Sequence, residues 1–555
     1  MSTYSQPQSI AVPRRQWPDH HLRQAPAWCA VDLRDGNQAL PNPMTPAQKR
    51  RYFALLTEIG FKEIEIGFPS ASADDFQFTR DLIEQNLIPD DVTISVLTQA
   101  RKHLITRTFE SLKGVKRAIL HVYTATSDLH MKYVFGKTAA ETRQMALDAV
   151  RLIKSEAAKL TGSQIRLEFS PEEFTDTDMD YALDICDAVV EAWDPPAGER
   201  VILNLPATVE RRPPNEYADL IETFIGRQRQ RARSTISLHA HNDMGCAVAA
   251  TMMALMAGAD RVEGTLLGHG ERSGNVDLLT LALNLQYMGI ETGLRFTHIE
   301  ALRDELIGLT SMPVSPRHPY AGELVFTAFS GSHQDAIHKG LTRRQESASQ
   351  FGGWKIPYLH IDPADLGRSY ERFIRINSQS GKGGIAHVLE ADYGVKLPRS
   401  LLLDFSVRVQ EFADAAAREV TSAEVWKLFR ETYFRPEGRL RLVNYWPRPN
   451  AADPKRIEGE AHVECGGKPY VLHATGDGPI SAFVHAVLQL PLGGFSLEEY
   501  EEGAIGRSAE AEAMTFVRLV DAKGTPAYGI GFGTNIDQAA VQAIVSALNG
   551  LPGAA

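Results

Sequence analysis

Cysteine is scarce in this chain, and its few occurrences form no pattern. The 4 cysteines, Cys29, Cys186, Cys246 and Cys465, lie far apart and make no CxxC pair. A disulfide framework or a thiolate zinc site needs cysteines at short, regular spacings, so neither is indicated. Few and scattered cysteines are typical of a reducing compartment, and we expect a cytoplasmic protein.

Long apolar runs and an excess of positive charge are also missing. No stretch of about 18 apolar residues occurs, which excludes a transmembrane helix and a membrane as partner. Residues 1–26 contain Arg14, Arg15 and Trp17 without an apolar core, so they differ from a secretory signal and are interpreted as an N-terminal arm. The net charge of -11 gives no basic footprint, so nucleic acid is not an expected partner.

What the sequence does contain is a regular alternation of short apolar runs and longer amphipathic segments. This alternation predicts parallel strands joined by right-handed helical crossovers. Eight such units within residues 27–310 match the size of a (β/α)₈ TIM barrel, with a doubly wound open sheet as the alternative. The predicted strands are Trp28–Leu33, Glu63–Gly67, Thr93–Leu97, Arg117–Tyr123, Ile165–Phe169, Val201–Leu205, Ile236–His239 and Arg261–Leu266.

Beyond the barrel the pattern changes twice. Residues 311–430 contain polar and glycine-rich segments and are interpreted as small helical linker subdomains. Residues 431–555 alternate strand-like and helical segments in two similar units, which predicts a small α+β domain. Gly529, Gly531 and Gly533 have the spacing GxGxG instead of GxGxxG, so we expect no dinucleotide there. The predicted elements are strands Arg439–Tyr445, Arg456–Cys465, Tyr470–Ala474, Ala513–Leu519 and Ala527–Gly531, and helices 479–488 and 535–548.

A metal site is predicted where the barrel strands end, since barrel enzymes place their chemistry there. His239 and His241 have the i,i+2 spacing that puts both imidazoles on one side of a strand. Asp35 follows the first strand, which is close to the seventh around a closed barrel mouth. Two imidazoles and one carboxylate hold a divalent metal and leave coordination positions open. Asn275 adds an amide oxygen as a further candidate ligand.

Three other polar residues lie near predicted strand ends. Arg34 is a candidate fixed cation beside a ketone oxygen that becomes an alkoxide, or an ion pair that closes the barrel. On a strand its side chain would point away from that of Asp35. Glu168 is a candidate to orient a base near the metal, or a cap of the next helix. Thr208 offers a hydroxyl to a substrate carboxylate, or is an ordinary loop threonine.

Three motifs together resemble the acyl-CoA-condensing TIM-barrel family, which includes 2-isopropylmalate, homocitrate and citramalate synthases and a related hydroxymethylglutaryl-CoA lyase. They are Leu33–Gln38 (LRDGNQ), His239–Gly245 (HAHNDMG) and Gly268–Asn275 (GHGERSGN). Asn37 stands where many members have glutamate, which is typical of the longer-chain 2-isopropylmalate synthase branch. Segments 332–335, 357–362, 377–382, 476–479 and 529–531 resemble the linker and leucine-binding domain of that branch, so the resemblance covers about residues 27 to 550.

The resemblance implies condensation of acetyl-CoA with 2-oxoisovalerate and water to 2-isopropylmalate and CoA, the first committed step of leucine biosynthesis, inhibited by leucine. It implies a divalent metal (Mg²⁺, Mn²⁺ or Zn²⁺) on Asp35, His239 and His241, and suggests K⁺ as an activator. Arg34 polarises the ketone, and Glu168 and Thr208 contact substrate. Leu97, Asn204 and Pro206 then line the side-chain pocket.

The resemblance also implies a homodimer whose active sites are completed across subunits. His333 and Tyr358, with Tyr370 as the alternative tyrosine, would reach the neighbouring site. The general base is taken as His333, acting with Glu168 or Tyr358, or as an ordered water. Gly476 and Gly478 would contact the regulatory leucine through their backbone.

Other functions of the same fold remain alternatives at this point. A homocitrate or citramalate synthase differs in the 2-oxo acid accepted, and a lyase or aldolase uses the same metal site. An amino-acid-binding regulator on an inactive barrel belongs to another class. The intact set of Arg34, Asp35, His239 and His241 argues against that regulator.

Overall fold

The structure is a computed structural model that describes residues 12–328, 330–368, 382–416, 420–505 and 512–551. The chain divides into two compact units. One runs to residue 325 and includes 365–368, and the other comprises 326–364 and 369–555. The domain boundaries expected at residues 26, 310 and 430 remain predictions.

The first unit contains a closed barrel of eight parallel strands that pair in chain order. Strand β8 pairs back with β1 through Trp28 and Val262, among others, so the sheet has no free edge. The predicted TIM barrel is confirmed, and the alternative of an open sheet is wrong. The strands are β1 (Ala27–Ala30), β2 (Glu63–Gly67), β3 (Thr93–Gln99), β4 (Arg117–Ala125), β5 (Gln164–Glu172), β6 (Val201–Ala207), β7 (Ser234–Ala240) and β8 (Arg261–Gly264).

Each barrel strand is followed by a helix that covers the outside of the barrel. Helix starts follow from local chemistry: Thr45 and Gln48 form a capping box at α1, and Thr138 and Glu141 form another at α4. The helices are α1 (Pro46–Ile59), α2 (Ala73–Glu84), α3 (Lys102–Ser111), α4 (Ala139–Ala157), α5 (Met179–Trp193), α6 (Pro214–Arg227), α7 (Ala247–Met256) and α8 (Leu278–Tyr287), with α9 (Ile299–Thr310) after the barrel.

Most barrel strands end a few residues from the predicted position, and two of these differences change the barrel mouth. β1 stops at Ala30, and residues Asp32–Gly36 wind into one π-helical turn. β5 continues to Glu172, past the apolar run that suggested an end near Glu168. Both differences move side chains at the barrel mouth.

The N-terminal arm lies on its own barrel. The buried Trp17 donates from its indole to Asp219 at 2.8 Å, and Arg15 makes two 2.6 Å hydrogen bonds to the same carboxylate. The backbone amide of Trp17 donates to Glu222. Residues 15–17 are therefore held against α6, which supplies both carboxylates.

The second unit begins with helices and ends in an α+β domain. Each half of that domain has a three-stranded antiparallel sheet and one helix. The strand Phe495–Ile505, which is rich in charged residues, was not predicted from the sequence. The elements are α10 (Gly331–Thr342), α11 (Arg344–Phe351), α12 (Lys382–Tyr393), α13 (Arg399–Ala416), α14 (Ser422–Tyr433), β9 (Leu440–Pro449), β10 (Ile457–Cys465), β11 (Lys468–Gly476), α15 (Pro479–Val487), β12 (Phe495–Ile505), β13 (Glu512–Asp521), β14 (Pro526–Gly533) and α16 (Ile536–Gly550).

The two halves of the α+β domain share one hydrophobic core. Val463 and Phe483 of the first half pack in the same buried cluster as Leu519 and Ile544 of the second. A Cβ built on Gly531 would lie 2.0 Å from the backbone oxygen of Ala539. The GxGxG segment therefore lets α16 lie directly on β14.

All four cysteines are free thiols. Within the described ranges, no helix is both long enough and apolar enough to cross a membrane.

Candidate active site

The turn after β1 brings two charged side chains to the barrel mouth. Because residues 32–36 form a π-helical turn, Arg34 and Asp35 do not point apart as they would on a strand, and that expectation is wrong. Arg34 Nη1 donates to Asp35 Oδ1 at 2.6 Å. Gly36 is required here, since a Cβ on it would lie 2.6 Å from Nε2 of His269.

Asp35, His239 and His241 converge as the sequence predicts. Asp35 Oδ2 lies 3.3 Å from His239 Nε2 and 3.6 Å from His241 Nε2. All three side chains are buried, and their ligand atoms lie within 4.8 Å of one another. Asn275 is paired with His241 through an isolated β-bridge, so its side chain belongs to the same region.

Several ligand atoms of this cluster have no hydrogen-bond partner in the described part of the chain, which fits a cation site. Among the described residues, nothing pairs with Asp35 Oδ2, either ring nitrogen of His241 or Asn275 Oδ1, and all of these atoms are buried. Buried polar atoms are seldom left unpaired in native proteins. A divalent cation bound between them would satisfy carboxylate, imidazole and amide oxygen together.

Glu263 contacts one of the two histidines on the ring nitrogen that faces away from Asp35. Its Oε2 lies 2.9 Å from Nδ1 of His239 and is buried. Burial opposes the charged imidazole, but the neighbouring carboxylates of Asp35 and Glu263 outweigh it and raise the pKa of His239 to about 9. Burial opposes the charged form of Asp35 as well, yet Arg34 and the two histidines hold its pKa well below the usual value.

Arg34 forms an ion pair within the barrel and keeps one nitrogen for a further contact. Its Nε donates to Glu65 Oε1 at 2.5 Å, which is an ion pair between β2 and the turn after β1. Burial disfavours the charged guanidinium, but Glu65 and Asp35 raise its pKa above the usual value. Among the described residues, the remaining Nη2 has no hydrogen-bond partner. This nitrogen is available to a ligand beside the metal cluster.

Glu168 lies inside the barrel and not at a strand end. It is fully buried in the middle of β5 and accepts from Arg261 Nη1 at 3.2 Å and from Nη2 at 3.3 Å. Burial, opposed by Arg261, raises the pKa of its carboxyl well above the usual value. The carboxylate at the end of β5 is Glu172, whose pKa is raised by burial and is also affected by Arg34 and Asp35. We therefore transfer the role proposed for Glu168 to Glu172.

Thr208 follows β6 and braces the turn after β5. Its hydroxyl oxygen accepts from the backbone amide of Glu173 at 2.9 Å. Glu173 has a φ of 61°, in the left-handed region that is strained for this residue type. The Thr208 hydroxyl hydrogen is not used by that contact, so it can still be donated to a substrate carboxylate.

Asn204 belongs to a polar pocket that sequence analysis recognised only in part. Its Nδ2 donates to Ser170 Oγ at 3.1 Å, and Ser170 lies 2.7 Å from His121 Nε2. Leu97 is buried and is the β-register partner of His121, while Pro206 is the partner of His239. Sequence analysis did not single out Ser170 and His121, because it cannot distinguish a buried polar residue inside a strand from one that faces solvent.

His333 and Tyr358 lie in the second unit, where they contact each other. Their rings stack with centroids 3.9 Å apart and planes 21° apart. Tyr358 is 61% exposed and has a φ of 62°. The stacking favours Tyr358 as the partner of His333, whereas Tyr370 lies outside the described residues. Their approach to a neighbouring barrel remains a prediction.

The two candidate regulatory glycines differ in their surroundings. A Cβ on Gly476 would lie 2.4 Å from the backbone nitrogen of Ala482, so β11 and α15 approach closely there. Gly478 is the N-cap of α15, and a Cβ on it would meet nothing within 4 Å. Gly476 therefore has a packing role of its own, and Gly478 has open space beside a helix N-terminus.

Comparison with known proteins matches the whole architecture. The HMGL-like family profile fits residues 25–306, the profile "alpha-isopropylmalate synthase, post-catalytic domain-like" fits 323–390, and the LeuA allosteric (dimerisation) domain fits 419–551. The 2-isopropylmalate synthase of Rhodospirillum rubrum is 48% identical over 543 residues, covering 98% of this chain and 97% of that protein. The chain belongs to the 2-isopropylmalate synthase family. A Clostridium acetobutylicum 2-isopropylmalate synthase is 45% identical, covering 97% of both chains.

Membership of the 2-isopropylmalate synthase family agrees with the sequence resemblance. The asparagine of the first motif has a structural role of its own. Asn37 is buried, and its Oδ1 accepts from the backbone amide of Met44 at 2.7 Å. A glutamate has no amide at this position but could accept the same hydrogen bond. Asn37 therefore stabilises the loop after β1.

Proposed function

We propose that this chain condenses acetyl-CoA with 2-oxoisovalerate and water to form 2-isopropylmalate and CoA, the first committed step of leucine biosynthesis. The observation that carries the proposal is the cluster of Asp35, His239 and His241, whose unpaired ligand atoms lie beside the unused Nη2 of Arg34. Family membership favours this reaction over the homocitrate, citramalate and lyase alternatives. A cytoplasmic location is proposed too, consistent with four free thiols.

The proposed metal is Mg²⁺, Mn²⁺ or Zn²⁺ on Asp35, His239 and His241, with Asn275 as a further ligand. When bound, a divalent ion supplies Lewis acidity at the ketone and a template for the 2-oxo acid. Arg34 would donate from Nη2 to the ketone oxygen and stabilise the alkoxide that forms there. Thr208 would donate its hydroxyl hydrogen to the substrate carboxylate.

The side chain of the 2-oxo acid would lie in the pocket lined by Leu97, Asn204 and Pro206. Ser170 and His121 extend that lining, because both are hydrogen-bonded to one another and Ser170 to Asn204. A buried wall of this kind selects the acid by the size of its apolar group. We therefore expect a branched acid to be preferred over pyruvate or 2-oxoglutarate.

We assign the general base to His333, with Tyr358 stacked on its ring, contributed by the partner subunit of a homodimer. The base would take a proton from the acetyl methyl group, and the enolate would attack the ketone carbon. Water then hydrolyses the thioester and releases CoA, which makes the condensation irreversible. An ordered water is the alternative base, and replacing His333 with alanine separates the two, since only the first assignment requires its imidazole.

The C-terminal domain is proposed to bind leucine beside Gly476 and Gly478 and to inhibit the enzyme. Leucine inhibits from a distance only if it binds one of two arrangements of the chain more tightly than the other. Deleting residues from 431 onward should abolish inhibition and leave some activity. Equal inhibition of the truncated chain would place the effector site elsewhere.

The function is tested by following free thiol release from acetyl-CoA with a panel of 2-oxo acids. The assay includes Mg²⁺, Mn²⁺ or Zn²⁺, with and without K⁺, and a His241→Ala variant as the inactive control. Fast release with 2-oxoisovalerate that leucine suppresses supports the proposal. Preference for pyruvate or 2-oxoglutarate would change the substrate assignment, and no release with any acid would contradict the reaction.

A further inference from the structure

A chain of hydrogen bonds runs around the inside of the barrel from the metal cluster to the substrate pocket and back. It starts at His239, whose Nδ1 faces Glu263 at 2.9 Å, and Asn204 Nδ2 donates to the same Glu263 oxygen at 3.0 Å. The chain continues through Ser170 to His121, which lies 2.6 Å from Glu65, the partner of Arg34. It closes at Asp35, the partner of both Arg34 and His239.

The donors and acceptors of this chain fit one arrangement of hydrogens. A carboxylate only accepts, so the His239 nitrogen that faces Glu263 carries the hydrogen. The amide hydrogens of Asn204 go to Glu263 and Ser170. Ser170 then donates its hydroxyl hydrogen to Nε2 of His121, whose Nδ1–H donates to Glu65. All of these residues are buried, so water does not compete for the contacts.

This arrangement fixes the tautomer of His239. A metal displaces the hydrogen from the nitrogen that it binds, so in the metal-bound state the ring is neutral; with the hydrogen kept on Nδ1, the Nε2 lone pair is the one directed towards Asp35 Oδ2, 3.3 Å away. Two acceptors at that distance repel each other unless a cation lies between them. The hydrogen bond to Glu263 therefore prepares His239 as a ligand through Nε2.

Glu263 is itself held in place by a buried arginine. Arg261 Nη1 donates to Glu263 Oε1 at 2.8 Å, and the Arg261 side chain is fully buried. Arg261 Nε also donates to Glu63 Oε2 at 2.6 Å. Arg261 therefore binds Oε1 of Glu263, and Oε2 remains available to His239.

We propose that Glu263 is a positioning residue for the metal centre, which sets the Nε2-ligating tautomer of His239 and, through Asn204, joins this ligand to the substrate pocket. The inference rests on the proposed metal site. Partners that orient a metal-bound histidine typically contribute about 10- to 100-fold to metal affinity. In Glu263→Gln, the amide can donate to Nδ1 of His239, which moves the ring hydrogen to Nε2 and blocks the ligand atom.

The test is calorimetric titration of metal-free full-length protein with Mn²⁺ and Zn²⁺, comparing wild type, Glu263→Gln and Glu63→Gln. Glu63→Gln is the matched control, because Glu63 accepts from the same Arg261 but contacts no proposed ligand. We expect Glu263→Gln to bind metal about 10- to 100-fold more weakly and Glu63→Gln to bind within about twofold of wild type. ¹⁵N NMR of the histidines should show Nδ1 protonated in zinc-loaded wild type.

The outcomes separate the role of Glu263 from the existence of the metal site. Wild-type affinity in Glu263→Gln, or an equal loss in Glu63→Gln, would overturn the inference while leaving the metal site in place. Failure of the wild type to bind metal would instead contradict the proposed function. If Glu263→Gln does not fold, Glu263→Asp and the NMR signature of His239 decide, since a protonated Nε2 in zinc-loaded wild type would also overturn the inference.

Discussion

Replacing Arg34 with lysine tests whether its guanidinium acts on the reaction or only ties the barrel together. Arginine uses Nε for Glu65 and Nη1 for Asp35, and keeps Nη2 for a ligand. Lysine keeps the positive charge but has one compact ammonium in place of the fork. It can compensate the buried Glu65 carboxylate, but it cannot hold both carboxylates and donate to a ketone oxygen at the same time.

A direct role of the guanidinium in the reaction and a purely structural role predict different losses of kcat and of stability. Loss of one preorganised donor to a developing oxyanion costs about 2.7–4 kcal/mol in the transition state, or roughly 100- to 1000-fold in kcat. Since the charge is kept, the loss of stability should stay well below the about 3–5 kcal/mol expected when a buried ion pair loses one partner. Because Arg34 also donates to the proposed ligand Asp35, metal affinity is expected to fall as well, so kcat is compared at saturating metal.

The assay is kcat from thiol release at saturating 2-oxoisovalerate and metal, together with thermal unfolding. Arg166→Lys is the matched control, since Arg166 pairs with Glu63 at 2.7 Å inside the same barrel and contacts no proposed site residue. We expect near-normal kcat for the control. A folded Arg34→Lys protein with kcat within about threefold of wild type would refute a direct role of the guanidinium.

Two further predictions concern the regulatory domain and the barrel rim. Gly531→Ala should destabilise the C-terminal domain by about 1–3 kcal/mol, because the added Cβ would meet the backbone of α16. Gly478→Ala is the control, since its Cβ would lie in open space, and equal melting curves for the two variants would contradict the prediction. The hydrogen bond from Arg272 lowers the pKa of Asp243 from 3.8 to about 2. Its stabilisation is therefore complete above about pH 4 and lost as the pH falls towards 2, so the destabilisation by Asp243→Asn in urea unfolding should be constant at neutral pH and shrink in acid.

The barrel is predictable from the sequence because its strands form apolar runs at regular intervals. The exact ends of the strands are not predictable from the sequence. Ser170 and Glu172 interrupt the apolar pattern of β5, so the strand looks shorter than it is and Glu168 looks like its end. β12 is rich in glutamate and lacks the apolar signal of its neighbours. In both places pairing with a neighbouring strand, which a single sequence does not show, determines the structure.

The metal cluster is predictable because His239 and His241 have the i,i+2 spacing of one strand face and Asp35 follows another strand that ends at the same barrel mouth. In the closed sheet β8 lies between those two strands. The buried residues that surround the cluster are not predictable from the sequence. Glu263 and His121 are polar residues inside strands, which sequence analysis cannot distinguish from polar residues facing solvent. Their roles follow only from the register of the closed sheet, which places Glu263 opposite His239.

We propose that Asp35, His239 and His241 hold one divalent ion that the condensation requires. The measurement is thiol release by chelator-treated protein, with 2-oxoisovalerate and acetyl-CoA, as metal is added back. We predict no release before metal is added, full activity at one bound ion per chain, and no recovery in His241→Ala at the same metal concentration. Release by the metal-free protein, or full recovery in His241→Ala, would show that the condensation does not depend on this ion.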